Sequence, residues 1–395
     1  MEQSKELMMD TFDMDPAALE NAISTMDVEA IDEFNQNVSF DKFVVLGKKE
    51  LTNFCRLVGP LTKASVDDYG KSVFVRCLDN ETVELCYFNS PYYISQKIQN
   101  KSGKQVKSFA VSVSNLQRLV TNAFASIILV EENDDINVAI CESLLFLETK
   151  PLKEIYYDVQ KKETNSVIDK ELALYTFKTI GTILSSTERA SEKNIIIKNG
   201  KANFNTGVFA SSSESPFEEK DELIVYKQVS DVIAQLADMA KVSIKYSIQK
   251  DIIIVDCDGN VYCEMPIGTA EKTEEFLSPV AMQALKFDAN ITIINDSFLR
   301  LVSTVKSLEY LSDIVKLSFT KDKMKLTIST TNQSKSNEYE FQIVEGAPEI
   351  VGDMKLTVEI LLLFLKIVGV DCKYAFTDAG LGIANTKGVF LLRKS

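Results

Sequence analysis

The sequence predicts an α+β fold assembled from six copies of one unit. Each copy is a short strand, an amphipathic helix of about three turns, then two or more strands around a polar turn. Three observations carry this. The unit recurs in phase along the chain. Within each helical segment the apolar residues fall at spacings of three, four and seven. The distance from helix start to the next strand turn alternates, long in odd copies and short in even ones, which pairs the copies into three domains.

The first copy runs "FVVLGKKELTNFCRLVGPLTKAS", then "SVFVRCLDNETVELCYF" with a turn near Asp79-Asn80. Leu51, Phe54, Cys55 and Val58 share one helix face, and Lys48, Lys49, Arg56 and Lys63 leave it. The second copy is "SFAVSVSNLQRLVTNAF" followed by "SIILVEENDDINVAICES". Here Leu116, Leu119, Val120 and Ala123 form the apolar stripe, with Arg118 off it. In the third, "SVIDKELALYTFKTIGTILSS" precedes "NIIIKNGKANFNTG", where Asn199-Gly200 is a strong hairpin-turn signal.

The fourth copy is "ELIVYKQVSDVIAQLADMA" with "SIKYSIQKDIIIVDCDG", and Asp258-Gly259 reads as another hairpin turn. The fifth is "NITIINDSFLRLVSTVKSLEYL" with "IVKLSFTKDKMKLTISTT". The sixth is "DMKLTVEILLLFLKIVG" with "CKYAFTDAGLGIANTKGVFLLRKS". Its helix holds the most apolar run of the chain, which Lys366 interrupts well short of the roughly 20 residues a bilayer span needs. No membrane span is expected.

Helix starts are placed at Lys48, Ser114, Lys170, Tyr226, Asp296 and Thr357, at spacings of roughly 55 to 70 residues. Boundaries fall in the polar stretches "KPLKEIYYDVQKKETNS" and "GTAEKTEEFLSPVAMQ". The expected organisation is an acidic extension over 1–39 and domains over 40–152, 153–278 and 279–395.

A chain of 395 residues, 45% hydrophobic and 25% charged, fits a globular protein of two or three domains. The N-terminal "MEQSKELMMDTFDMDP" lacks a basic segment followed by an apolar one, so no secretory signal is expected. Seven scattered cysteines, an odd number, read as reduced thiols of an intracellular protein. Histidine is absent, and with it the commonest general base and transition-metal ligand. The patterns GxxxxGK[ST], GxGxxG, GxSxG and CxxC are absent too. Asp256, Asp258, Cys257 and Cys263 surround the fourth copy's turn, where acids are common. No metal site, cofactor or catalytic constellation is expected.

The net charge of −14 argues, taken globally, against nucleic acid, but local distribution decides. Six helical windows (48–64, 114–125, 170–182, 226–241, 296–310 and 357–368) hold twelve Lys or Arg against seven Asp or Glu. The rest of the chain is therefore strongly acidic. Three of the windows are individually neutral, as any solvated helix face can be.

Three domains, each a doubled strand–helix–sheet unit, resemble the bacterial-type DNA polymerase sliding clamp, the beta subunit. The end of the chain, "TVEILLLFLKIVGVDCKYAFTDAGLGIANTKGVFLLRKS", is similar to that family's close. A helix of the type "xxxLLxxLKxL" is followed by a "TDxxxxxxI" turn and a hydrophobic last strand, with Thr377-Asp378, Phe390, Leu392 and Arg393 in place. In "NGKANFNTGVFA", Asn199, Gly200 and Gly207 match the family's "dGxLxxvATDGhRLa" hairpin. Thr206, Val208 and Phe209 replace that hairpin's usual Asp, His and Arg, so an altered partner preference is expected. The similarity covers about 40 to 395.

The resemblance implies a head-to-tail homodimeric ring with helices inside and sheets outside, threaded by double-stranded DNA without sequence preference. It would be a processivity factor, without enzymatic activity, in the cytoplasm of a bacterium or a phage-infected cell. Its implied DNA-facing set is Lys48, Lys49, Arg56, Lys63, Arg118, Lys178, Arg300, Lys306 and Lys366. Polymerase and clamp loader would insert short hydrophobic peptides between the second and third domains, at Gly207, Val208, Phe209, Phe390 and Leu392. Two alternatives stand beside it: a clamp-like accessory subunit of a polymerase or transcription machinery that closes no ring, and a scaffold without nucleic acid.

Residues 1–39 hold ten acids against one lysine, and "DPAALENAISTM" reads as a short helix capped by Asp15, with Pro16 at its first position. A solvated acidic leader is one expectation for this stretch. Docking of its stripe of Leu19, Ile23 and Met26 is the other.

Overall fold

The computed structural model describes residues 40–62, 69–123, 126–140, 143–151, 159–179, 194–205, 209–269, 291–293, 295–308, 310–320, 323–346, 352–368, 373–377, 380–385 and 388–393. Residues 1–39, Lys63, Gly207 and Val208 lie outside them.

Six copies of one sequence of elements follow each other: a strand, a helix and three further strands. Copy one is Phe43–Gly47, helix α1 Lys48–Thr62, then Ser72–Cys77, Thr82–Asn89 and Tyr92–Gln99. Copy two is Phe109–Ser112, α2 Val113–Asn122, then Ser126–Glu132, Asp135–Ile140 and Ser143–Phe146. Copy three is Ser166–Val167, α3 Lys170–Ala173 running on as a π-helical turn Leu174–Thr179, then Asn194–Lys198, Lys201–Asn205 and Phe209–Glu214. Copy four is Leu223–Tyr226, α4 Lys227–Met239, then Ile244–Gln249, Ile252–Cys257 and Val261–Pro266. Copy five is Ile291–Ile293, α5 Asn295–Lys306, then Leu311–Phe319, Lys323–Thr330 and Ser336–Gly346. Copy six is Gly352–Thr357, α6 Val358–Val368, then Lys373–Thr377, Gly380–Asn385 and Gly388–Arg393.

Local chemistry explains why the helices begin where they do. Ser112 accepts from the Asn115 N–H at 3.1 Å, Asp169 from Leu172 at 2.9 Å, and Thr357 from Ile360 at 3.3 Å. The apolar stripes then turn inward: Leu51, Phe54, Leu57 and Val58 on α1, Val229, Val232, Ile233 and Leu236 on α4, and Leu361, Leu362 and Leu365 on α6 are buried. Helices pack pairwise, α1 on α2, the α3 segment on α4, and α5 on α6. Both expected hairpin turns have two successive positive φ values, 52° and 68° at Asn199-Gly200, and 56° and 70° at Asp258-Gly259.

Each copy carries three strands after its helix, within the two or more expected. From helix start to the end of the next strand, each odd copy is longer than its even partner, most in copies one and two and least in copies five and six.

By compactness the chain divides into two units, residues 1–163 with 254–265, and 164–253 with 266–395. Strand pairing explains the departure from the sequence boundaries. In the first unit the last strand of copy four, Val261–Pro266, pairs antiparallel with the last strand of copy one, Tyr92–Gln99, placing Val261 opposite Gln96 and Glu264 opposite Tyr93. In the second unit the last strand of copy three, Phe209–Glu214, pairs with the last strand of copy six, Gly388–Arg393. The second unit's large sheet therefore runs continuously through thirteen strands.

Among the described residues, two last strands keep an open side. Ser143–Phe146 is the edge of the first unit's four-stranded sheet and exposes Leu145 (53%) and Phe146 (68%). Ser336–Gly346 pairs through residues 336–342 with Lys323–Thr330 on one side only; its other neighbour, Ile291–Ile293, takes residues 343–346.

Candidate nucleic-acid interface

The apolar spacing of each helix fixes one buried face, and the cations must leave it. On α1, Lys49 and Arg56 are exposed and two turns apart on the face opposite Phe54 and Val58. On α2, Arg118 is exposed beside Gln117. The two helices meet closely at Gly59, where an added Cβ would stand 3.5 Å from Gln117 Nε2. Arg56 lies one turn before Gly59 on α1, and Arg118 is the residue after Gln117 on α2. Together α1 and α2 carry four cations and one carboxylate, Glu50.

In the second unit the helix pairs are close to neutral. The α3 segment, through Thr179, and α4 carry three cations and three carboxylates, and α5 with α6 carry three against two. Lys178 is exposed and meets Asp238 across the α3–α4 pair at 3.4 Å. Lys306 is exposed and meets Glu359 across the α5–α6 pair at 3.3 Å. Lys227 bridges Asp231 one turn on. Exposed pairs of this kind contribute about 0–1 kcal/mol, so a phosphate competes readily with the carboxylate. Arg300 is exposed on α5, and Lys366 lies on α6.

Lys48 departs from the expected role. Its ammonium donates to the Ala123 carbonyl at 2.7 Å, at the C-terminal cap of α2. Lys170, the equivalent first residue of α3, donates in the same way to Ala240 at the cap of α4. Both cap residues also donate their N–H four residues back, to Leu119 and Leu236, each at 2.9 Å. A cation against the exposed carbonyls and negative pole of a helix end is favourable. These two lysines clasp helix to helix. The sequence did carry a signal, a lysine opening the first helix of two successive pairs, but only the cap geometry gives it meaning.

At the expected peptide pocket, Phe209 faces Leu392 and Ser211 faces Phe390 across the strand pair. Phe390 and Leu392 are buried at 1% and 0% exposure. The Phe390 ring packs edge-on against Tyr175 of the α3 segment at 6.1 Å. Tyr175, which sequence reasoning missed, is the ring that Phe390 packs against.

Burial raises the thiols of Cys55, Cys77 and Cys263, Cys55 up to about 12 and Cys263 higher still, and makes these three poor nucleophiles. No group of three or more metal-ligating side chains occurs among the described residues.

By sequence the chain matches no family model and no curated protein. Solved structures do match. The DNA polymerase III beta subunit of Thermotoga maritima is 11% identical with a TM-score of 0.68, covering 89% of this chain and 99% of that one. A putative DNA polymerase III beta subunit from Eubacterium rectale is 12% identical with a TM-score of 0.66, at the same coverage. The Helicobacter pylori beta clamp bound to DNA ligase peptide is 13% identical, also at 0.66 and with the same coverage. The chain has the beta-clamp fold.

Proposed function

We propose that this protein is a sliding clamp, a non-enzymatic processivity factor that closes around duplex DNA as a head-to-tail homodimer and tethers polymerase and other partners. The observation that carries this reading is the pairing of last strands. Copy one pairs with copy four and copy three with copy six, so the offset is three each time. Copies five and two are left with open edges, at Ser336–Gly346 and Ser143–Phe146. The same offset continued into a second chain joins copy five of one to copy two of the other. Done reciprocally, this closes two chains into a ring of six domains, 40–152, 153–278 and 279–395 from each. The exposed Leu145 and Phe146 on an unpaired strand edge support it, since such an edge is a pairing template unless covered.

The fold of the beta subunits supports the clamp role, and the basic α1–α2 face supplies a surface for phosphates. Loose, water-mediated phosphate contacts suit sliding. The DNA-facing set we propose is Lys49, Arg56, Lys63, Arg118, Lys178, Arg300, Lys306 and Lys366. Gly207, Val208 and Phe209 form the peptide-binding rim, over a floor stiffened by Phe390, Leu392 and Tyr175. The site of action is the cytoplasm of the cell whose DNA it serves.

The protein is loaded on nicked circular DNA with its loader, and the circle is then cut. A clamp is retained on the circle and lost from the linear form. Retention on both marks an ordinary DNA binder, and retention on neither overturns the proposal. Light scattering reads the closure: the native protein is expected at twice 44.2 kDa, and Phe146→Glu at 44.2 kDa.

A further inference from the structure

We propose that the acidic segment 1–39 docks on the basic face of α1 and α2, where it competes with DNA. Its ten Asp and Glu against one Lys are opposite in charge to a face that presents Lys49, Arg56 and Arg118, Lys48 being held at the cap of α2. The helix pairs of the second unit, near neutrality, offer no comparable seat.

The point of attachment favours the same face. Phe40, where the described chain starts, packs against the cluster of Phe43, Val45 and Val130. Its carbonyl accepts from Lys104 Nζ at 2.6 Å. The strand that follows, Phe43–Gly47, leads without a break into α1 at Lys48. From Phe40 to Arg56 is therefore at most about 40 Å along strand and helix. A coil of this length has an r.m.s. reach of about 35 Å and a far longer extended one, so its carboxylates reach Lys49, Arg56 and Arg118. Tethering raises the effective concentration of the segment to the millimolar range, above that of any free polyanion of similar charge.

The seat on α1 and α2 stands on charge and reach alone; only its consequence for DNA rests on the clamp reading. Two measurements on the full-length chain separate them. Carbodiimide coupling joins neighbouring carboxylates and amines, and mass spectrometry locates the product. Cross-links from residues 1–39 to Lys49 are expected, lost in about 1 M salt and reduced in R56Q/R118Q. Their absence overturns the proposal.

The second measurement is weak direct binding of a labelled duplex at low salt. A variant with every Asp and Glu of residues 1–39 changed to Asn or Gln is expected to bind about tenfold more tightly. In the R56Q/R118Q background that gain should vanish. An equal gain there means diffuse repulsion and overturns the docking. Cross-links without retention on circles would sink the clamp reading and leave the docking intact. Retention without cross-links would do the reverse.

Discussion

The helix pair α1–α2 and the pairs α3–α4 and α5–α6 are built alike, each from two stripes of buried aliphatic residues, yet their outer faces differ. On the first, Lys49, Arg56 and Arg118 are exposed and Glu50 is the one acid of the two helices. On the others, Asp238 and Glu359 stand across the helix pair from Lys178 and Lys306. A repeated scaffold fixes where cations can be placed. How much net positive charge a helix pair presents depends on the acids its two helices carry. The lesson extends to the clasp. Lys48 and Lys170 occupy equivalent positions in two of the three pairs and act alike, so those two share the helix-to-helix tie while the charge of their outer faces differs; α5 opens on Asn295 instead.

Three sets of substitutions sharpen this contrast. Arg56→Glu with Arg118→Glu should have the largest effect, weakening duplex association on the order of 100-fold at low salt and lowering the salt slope by about two phosphate contacts. An unchanged slope in a binding titration would place these arginines away from the DNA. Next, Lys48→Met or Lys170→Met should each cost about 1–2 kcal/mol, read as a lower urea midpoint, because a charged donor leaves a helix C-terminus. The K48M salt slope should stay at the native value, and a drop equal to one phosphate contact would return Lys48 to the DNA-facing set. Smallest, Lys178→Gln with Lys306→Gln should alter DNA affinity by no more than about threefold and stability by less than about 1 kcal/mol. A loss matching that of the arginines would erase the difference between the pairs.

Much of the fold was legible in the residues. Helix starts expected at Lys48, Ser114, Lys170, Tyr226, Asp296 and Thr357 meet observed starts at Lys48, Val113, Lys170, Lys227, Asn295 and Val358. Apolar spacing is a strong signal because the same side chains that make the period are the ones buried, as Leu51, Phe54 and Val58 are. Asn199-Gly200 and Asp258-Gly259 were legible because few residue pairs accept two positive φ values in succession.

Pairing between distant strands was not legible. Phe209–Glu214 and Gly388–Arg393 contain nothing that names the other, since backbone hydrogen bonds are blind to side-chain identity. The same blindness hid the site's compensation. Asp238 and Glu359 sit sixty and fifty-three residues from the lysines they meet, and no local pattern joins them. Phe390 and Leu392 were assigned to a pocket by resemblance; both are buried, and the edge-on contact of Phe390 with Tyr175 had no signal in the sequence.

The constant offset of three between joined copies has a consequence for the gene as well as the molecule. Within the chain it joins the last strands of copies one and four and of copies three and six, and leaves those of copies two and five with an open side among the described residues. Circular permutants opened near residue 152 or 278 would carry the same complement of edges as the native order.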